Sequence, residues 1–225
     1  MTEQEKSMNP QRMFFNEHQC ATIEAAMARI IPTDDTPGAR EAGAIYFLDR
    51  YLSGLDYIYA KPDGSGFLKL SQKKAASWQQ RVETLRQRYV EGVQEMDRRS
   101  RELFGTEFSL LKSEQQDRVL AGMANPEVEA VAGTEESESG FAPATPAAMQ
   151  QYETETDLDF FQMLVLHTRQ GFYADPIYGG NRNHVGWQVI GFQGPASMAE
   201  AHSGTYNTLP FFADAGTDAE EGKTV

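Results

Sequence analysis

Apolar positions along this chain recur mostly at helical spacing. Ile23, Met27, Ile30 and Ile31 follow Asn16, an N-cap residue with Gln19 three positions on, and Pro32 ends the run. A turn over Thr33-Asp34-Asp35-Thr36 comes next. Thr36 is expected to cap a second helix with Pro37 at its first position, where a missing N–H costs nothing. The small residues Ala39, Ala42, Gly43 and Ala44 suit close helix contact there. Ile45, Leu48, Tyr51 and Leu52 form its apolar side, and Gly54 stops it. The longest helix opens at Ser71 or Ser77. Its stripe of Trp78, Val82, Leu85, Tyr89, Val93 and Met96 advances by 4, 3, 4, 4 and 3 residues, flanked by charges. Ser113-Glu114-Gln115-Gln116 reads as a capping box for a short helix carrying Val119, Leu120 and Met123. Thr156 is the expected cap of another helix, with Phe160, Phe161, Leu164 and Val165 on it and Gly171 closing it.

Between these runs the pattern changes. Residues 55–70, with Tyr57, Tyr59, Pro62, Gly64, Gly66 and Phe67, read as a structured loop. Residues 125–155 hold scattered glycines and prolines, many glutamates and neither lysine nor arginine, the composition of an acidic linker or of a loop that a partner orders. Residues 1–13 are polar and read as a flexible N-terminus. Residues 196–225 form a C-terminal extension, with one weak helix over 196–209 and a disordered acidic end. The candidate strand is Gln188-Val189-Ile190. The expected fold is mainly α: an irregular bundle of about five or six helices over residues 14–195, with long ordered loops and little or no β.

One run fits no simple period. From Gly171 to Gly191 the chain carries five glycines, one proline and four aromatics, with asparagine, arginine and histidine between them. Pro176 fixes its own φ and pushes Asp175 out of the helical region, and Gly179-Gly180-Asn181 reads as a tight, partly left-handed turn. So many rings must lie against something. The reading is a rigid surface platform faced by Tyr178, Trp187 and Phe192.

Charge and composition narrow the partners. With 20 basic and 33 acidic residues the formal charge is −13, which argues against nucleic acid and anionic lipid. The single cysteine, Cys20, excludes an internal disulfide or a cysteine-based metal cluster, and its apolar helical setting suits a buried inert thiol. No stretch approaches the roughly 20 apolar residues of a membrane-spanning helix. Met1 to Pro10 has no apolar signal region, so the expectation is a cytoplasmic chain.

Two stretches carry a resemblance. Ile30-Ile31-Pro32-Thr33-Asp34-Asp35-Thr36-Pro37-Gly38-Ala39-Arg40-Glu41-Ala42-Gly43 resembles the first signature of the gluconate 2-dehydrogenase subunit 3 family. Asp175-Pro176-Ile177-Tyr178-Gly179-Gly180-Asn181-Arg182, with Gly186-Trp187 and Ile190-Gly191-Phe192, resembles the second. The resemblance spans residues 14 to 195. It implies structural roles for the signature residues Pro32, Asp34, Asp35, Pro37, Gly38, Arg40, Gly43, Pro176, Gly179, Gly180 and Gly186. It also implies a non-catalytic small subunit that stabilises and helps assemble a large FAD-dependent dehydrogenase subunit of the glucose–methanol–choline type. In many complexes of the family a multihaem cytochrome c is a third partner. FAD and haem c would then belong to the other subunits. Small subunits of the family carry a twin-arginine export signal; Arg98-Arg99 is mid-chain and helical in context and cannot serve. The complex would be periplasmic and membrane-associated if the partner, or a leader preceding this chain, supplied the address.

The chemistry of the residues agrees with a binding role. There is no G-x-G-x-x-G between strand and helix, no G-x-x-x-x-G-K-[ST], no G-x-S-x-G and no H-E-x-x-H. His18, His167, His184 and His202 lack metal-ligand spacing. Asp34 and Asp35 read as helix-start electrostatics rather than a cation site, and His167 as a structural histidine. Asp175, Tyr178, Asn181, Arg182, His184 and Trp187 are the candidate partner-interface residues. Arg182 and Arg40 are each open to either an interface ion pair or an internal one. Two rivals remain: a stand-alone sugar-acting enzyme using His184, Asp175 and Arg182, and an escort that leaves after cofactor loading.

Overall fold

The computed structural model describes residues 13–54, 57–61, 67–69, 72–124 and 155–195, with Glu200 and Ser203. Two compact units result. One is Met1–Leu55 with Gln72–Phe192; the other is Asp56–Ser71 with Gln193–Val225. The expectations for 1–12, for 125–154 and for most of the C-terminal extension lie outside the described residues.

The described residues of the first unit hold helices and no strand. Their α-helices are α1 (Glu17–Ile30), α2 (Ala39–Ala42), α3 (Ala44–Leu52), α4 (Gln72–Phe104), α5 (Ser113–Ala121), α6 (Phe160–Tyr173) and α7 (Val185–Val189). The fold class is mainly α, as the periodicity predicts. α1 starts where its residues say it should: Asn16 accepts from the Gln19 N–H, and the Gln19 side chain accepts from the Asn16 N–H. The α4 stripe from Val82 to Met96 is buried, whereas Trp78 is only half-buried. Around it lie Ile23 and Met27 of α1, Ile45, Leu48 and Leu52 of α3, Val119 of α5 and Met163 and Leu164 of α6. Each such side chain, fully buried, stabilises the fold by roughly 1.5–3 kcal/mol relative to exposure.

Several boundaries differ from the sequence reading. The helix expected from Pro37 is two helices, because Gly43 sits at φ +66 and breaks it. Its N-cap is Gly38, not Thr36; Thr36 instead donates its N–H and its hydroxyl to Asp34. α5 is preceded by Lys112, whose N–H donates to Gln115, so Ser113 is already inside the helix. α6 is capped by Asp159 and Gln162, not by Thr156. It also runs two residues past Gly171, whose missing side chain lets the helix touch the Ala44 backbone. The candidate strand at Gln188–Ile190 is helix α7 and its cap. Cys20 is half-buried rather than buried.

In the second unit, residues 57–60 and 67–69 are strands where the sequence reads as a loop. β1 (Tyr57–Ala60) pairs antiparallel with β2 (Phe67–Lys69), with an irregular register between Tyr57 and Tyr59. A bulge of this kind adds local twist to an otherwise short ladder.

Candidate functional site

The two signature stretches, more than a hundred residues apart in sequence, fold against each other. In the first, Asp34 closes its turn on Thr36, and the Thr36 N–H, then its hydroxyl, hold the Asp34 carboxyl below its ordinary range. Glu41 accepts from the Gly38 N–H at 2.9 Å and from the Thr33 hydroxyl at 2.6 Å. A side chain at Gly38 would sit 2.5 Å from the Ile31 carbonyl oxygen, so only glycine lets the turn fold back. Pro32, Asp35, Pro37 and Arg40 are exposed around it.

In the second, Asp175 caps a 3-10 turn over Pro176–Tyr178 by accepting from the Ile177 N–H at 2.9 Å. Gly179 follows at φ +104. Asn181 is the hub. Its own N–H donates to Gly171, its amide nitrogen to Ala174, and its amide oxygen accepts from the Gly186 N–H, all at 2.8–2.9 Å. Asn181, Asn183 and His184 all hold left-handed angles, with φ of 46, 55 and 57. Asparagine tolerates that region better than most residues, and three in so short a span mark a loop held by its surroundings. Trp187 stacks on His184 with ring centroids 4.9 Å apart, meets Phe192 edge-on at 5.2 Å, and donates its indole N–H to Tyr173 at 2.8 Å.

The stretches meet at Gly43, Tyr46, Gly179 and Arg182. The Arg182 guanidinium carbon lies 3.7 Å from the centre of the Tyr46 ring. A Cβ at Gly43 would come within 2.8 Å of the Arg182 side chain, and one at Gly179 would come to 3.3 Å from the Tyr46 carbonyl oxygen. The glycines are therefore spacers that let two backbones and one arginine share a narrow volume.

This geometry corrects the platform. Asn181 is 0% exposed and Trp187 6%, so both lie beneath the surface as its foundation and offer nothing to a partner. Asp175 is occupied as a cap. Tyr178 and Arg182 are half-buried and His184 is exposed. Tyr173, Val189 and Ile190 are exposed apolar residues of the same stretch that the sequence does not mark as partner contacts. The sequence reads Val189 and Ile190 as strand, and α7 being helical turns them outward.

The region that looks most like chemistry lies elsewhere. Tyr89 is 2.7 Å from His167 Nδ1, and His167 Nε2 is 3.0 Å from Glu155. Arg81 donates to the same carboxylate at 2.7 Å and the Tyr51 hydroxyl donates at 2.9 Å. Burial opposes the charge on Glu155, but the bonds from His167 and Arg81 outweigh it and hold the carboxyl at about 2. Burial first, then the Glu155 charge, pushes the Tyr89 hydroxyl well above its usual value. A protonated Tyr89 donating to Nδ1, with Nε2–H donating to Glu155, satisfies every member. His167 and Tyr89 are fully buried and Glu155 nearly so. Among the described residues this set is a hydrogen-bonded network centred on a buried core, with Arg81 reaching it from a partly exposed position. Glu155, read from sequence as part of the linker, belongs to the fold.

Among the described residues, no group of histidine, cysteine and acidic side chains could hold a metal ion, and no helix is long and apolar enough to cross a membrane. An open groove of about 430 Å³ lies between α4 and the start of α6. Its lining includes Glu91, Glu95, Asp157, Asp159 and Arg88, with Glu95 paired to Arg98 and Arg99.

The model of one protein family, gluconate 2-dehydrogenase subunit 3, matches residues 17–194. The chain belongs to that family. The match includes both signatures and every helix from α1 to α7. No curated protein and no solved structure matches the chain. In this member of the gluconate 2-dehydrogenase subunit 3 family, the two signatures are thus one structural unit, folded around Asn181 and Gly43.

Proposed function

We propose that the chain is an accessory, non-catalytic subunit of a dehydrogenase complex, stabilising and helping to assemble a large subunit that carries FAD and oxidises a sugar or sugar acid. The reading rests on membership of the family over residues 17–194. Two features of the molecule support it. Its most reactive-looking side chains, Tyr89, His167 and Glu155, are consumed inside the core. Its open groove is lined mainly with carboxylates, which is in keeping with a reading in which the partner carries FAD. A multihaem cytochrome c is the expected third subunit where the complex has one. Tyr178, Arg182 and His184, with the exposed Tyr173, Val189 and Ile190, are the residues assigned to the contact.

Co-expression with the neighbouring dehydrogenase gene and affinity capture through this chain tests the proposal. A yellow, flavin-bearing protein should co-purify in a fixed ratio. Capture of the chain alone, from cells that make the flavoprotein in soluble form, would overturn it.

A further inference from the structure

Several arginines of this acidic protein are paired: Arg29, Arg81, Arg98 and Arg99 each sit on a carboxylate at 2.5–2.7 Å. Arg182 does not: among the described residues its side chain makes no hydrogen bond and no ion pair, and its contact is with the Tyr46 ring. A guanidinium is flat, with five N–H groups pointing outward in its plane. Stacking on an aromatic uses its face and leaves that rim free to take two carboxylate oxygens side by side.

The surroundings hold it in that pose. Gly43 clears the space that the Arg182 stem occupies. Asn181, immediately before it, is clamped by three hydrogen bonds, and Asn183 and His184, immediately after it, are held at positive φ. Left-handed angles are unfavourable for non-glycine residues and persist where the surroundings over-determine them. Here they flank a half-buried cation that makes no hydrogen bond or ion pair among the described residues.

We propose that Arg182 is a receptor for one carboxylate of the partner: an aspartate or glutamate side chain on the flavin subunit, taken bidentately, with Tyr46 as the shelf beneath the guanidinium. This rests on the accessory-subunit reading and adds to it the chemistry of one contact. A net charge of −13 disfavours approach to polyanions such as nucleic acid or anionic membrane, whereas a single carboxylate within a protein surface needs only the local cation.

The test measures affinity between the full chain and the purified flavin subunit, at low and at moderate salt. The chains compared are wild type, Arg182→Gln, Arg182→Lys and Tyr46→Leu. Arg182→Gln should weaken binding roughly 30-fold or more and flatten the salt dependence. Arg182→Lys should recover only a small part, because an ammonium cannot reproduce the fork. Tyr46→Leu keeps the charge and removes the shelf, and should weaken binding by roughly 3–10-fold. It serves as the independent variant if Arg182→Gln folds poorly. Wild-type binding with Arg182→Gln and Tyr46→Leu unchanged overturns the carboxylate receptor and leaves the accessory-subunit reading standing. Full rescue by lysine overturns the bidentate contact. An Arg182→Gln chain that is several degrees less stable alone, at low salt only, shows that the carboxylate is the chain's own and also overturns it. A wild-type chain that does not bind the flavin subunit removes the accessory-subunit reading itself.

Discussion

Two polar constellations in this molecule invite opposite conclusions from the ones their residues suggest. The Tyr89–His167–Glu155 chain, with Arg81 and Tyr51, has the composition of a catalytic relay, yet it is buried and each member is bonded to the next. The Arg182–Tyr46 pair has no such composition, yet it lies in a half-buried position with its donors unused. The difference is one of satisfaction. A buried network that is complete gives uniqueness to a core and has nothing left to offer. An incomplete one at a surface has bonding capacity left for solvent or for a second molecule.

Substitutions sharpen that contrast, beginning with the buried network. Glu155→Ala should destabilise the lone chain by roughly 3–5 kcal/mol in urea unfolding, because it strands His167 and the Arg81 guanidinium beside an emptied site. The same carboxylate makes stability pH-dependent. Its folded-state pKa of about 2 lies below the ordinary 4.5, so its contribution is complete above about 4.5 and is lost as pH falls toward 2. Glu155→Gln should flatten that part of the acid-unfolding curve; an unchanged curve would place the acid sensitivity in other carboxylates.

Next comes the packing of the second signature against α6 and around Asn181. Gly186→Ala would put a Cβ 2.0 Å from the Phe172 carbonyl oxygen, a backbone atom that cannot swing away. The expected cost is about 3 kcal/mol, at the upper end of overpacking, read as a lower urea midpoint. Asn181→Ala should cost about 2 kcal/mol, since it deletes two side-chain bonds and leaves the buried Gly186 N–H without an acceptor. Arg182→Gln should be the mildest, within about 1 kcal/mol for the isolated chain, because it forfeits only a cation–π contact. If Arg182→Gln proves as damaging as Glu155→Ala, the two regions are alike and the contrast fails.

Legibility followed the range of the interactions. The Asn16–Gln19 capping box and the Val82–Met96 stripe needed only neighbours within a turn or two, and both stand in the structure. The glycine-rich stretches were recognisable as special, but their use was not. Gly43 breaks a helix at φ +66 and leaves room for Arg182, and the two are 139 positions apart by residue number (182 − 43). Trp187 looked like an interface anchor because tryptophan so often is one; its indole N–H found Tyr173 inside the fold instead. Glu155 looked like linker because the acidic composition ran through it without a break. Nothing local distinguishes a carboxylate that meets His167 and Arg81 from one that meets water.

Sequence alone determined the mainly α class, the family, and where most helices lie, because periodicity, capping and the two signature strings are properties of short segments. Tertiary structure decided which polar groups are satisfied and which are not. That depends on partners brought together from distant parts of the chain, Tyr89 to His167 across 78 residues and Tyr51 to Glu155 across 104. A donor's availability to a second protein is what remains after those meetings, and for that reason Arg182 emerges only when the chain is folded.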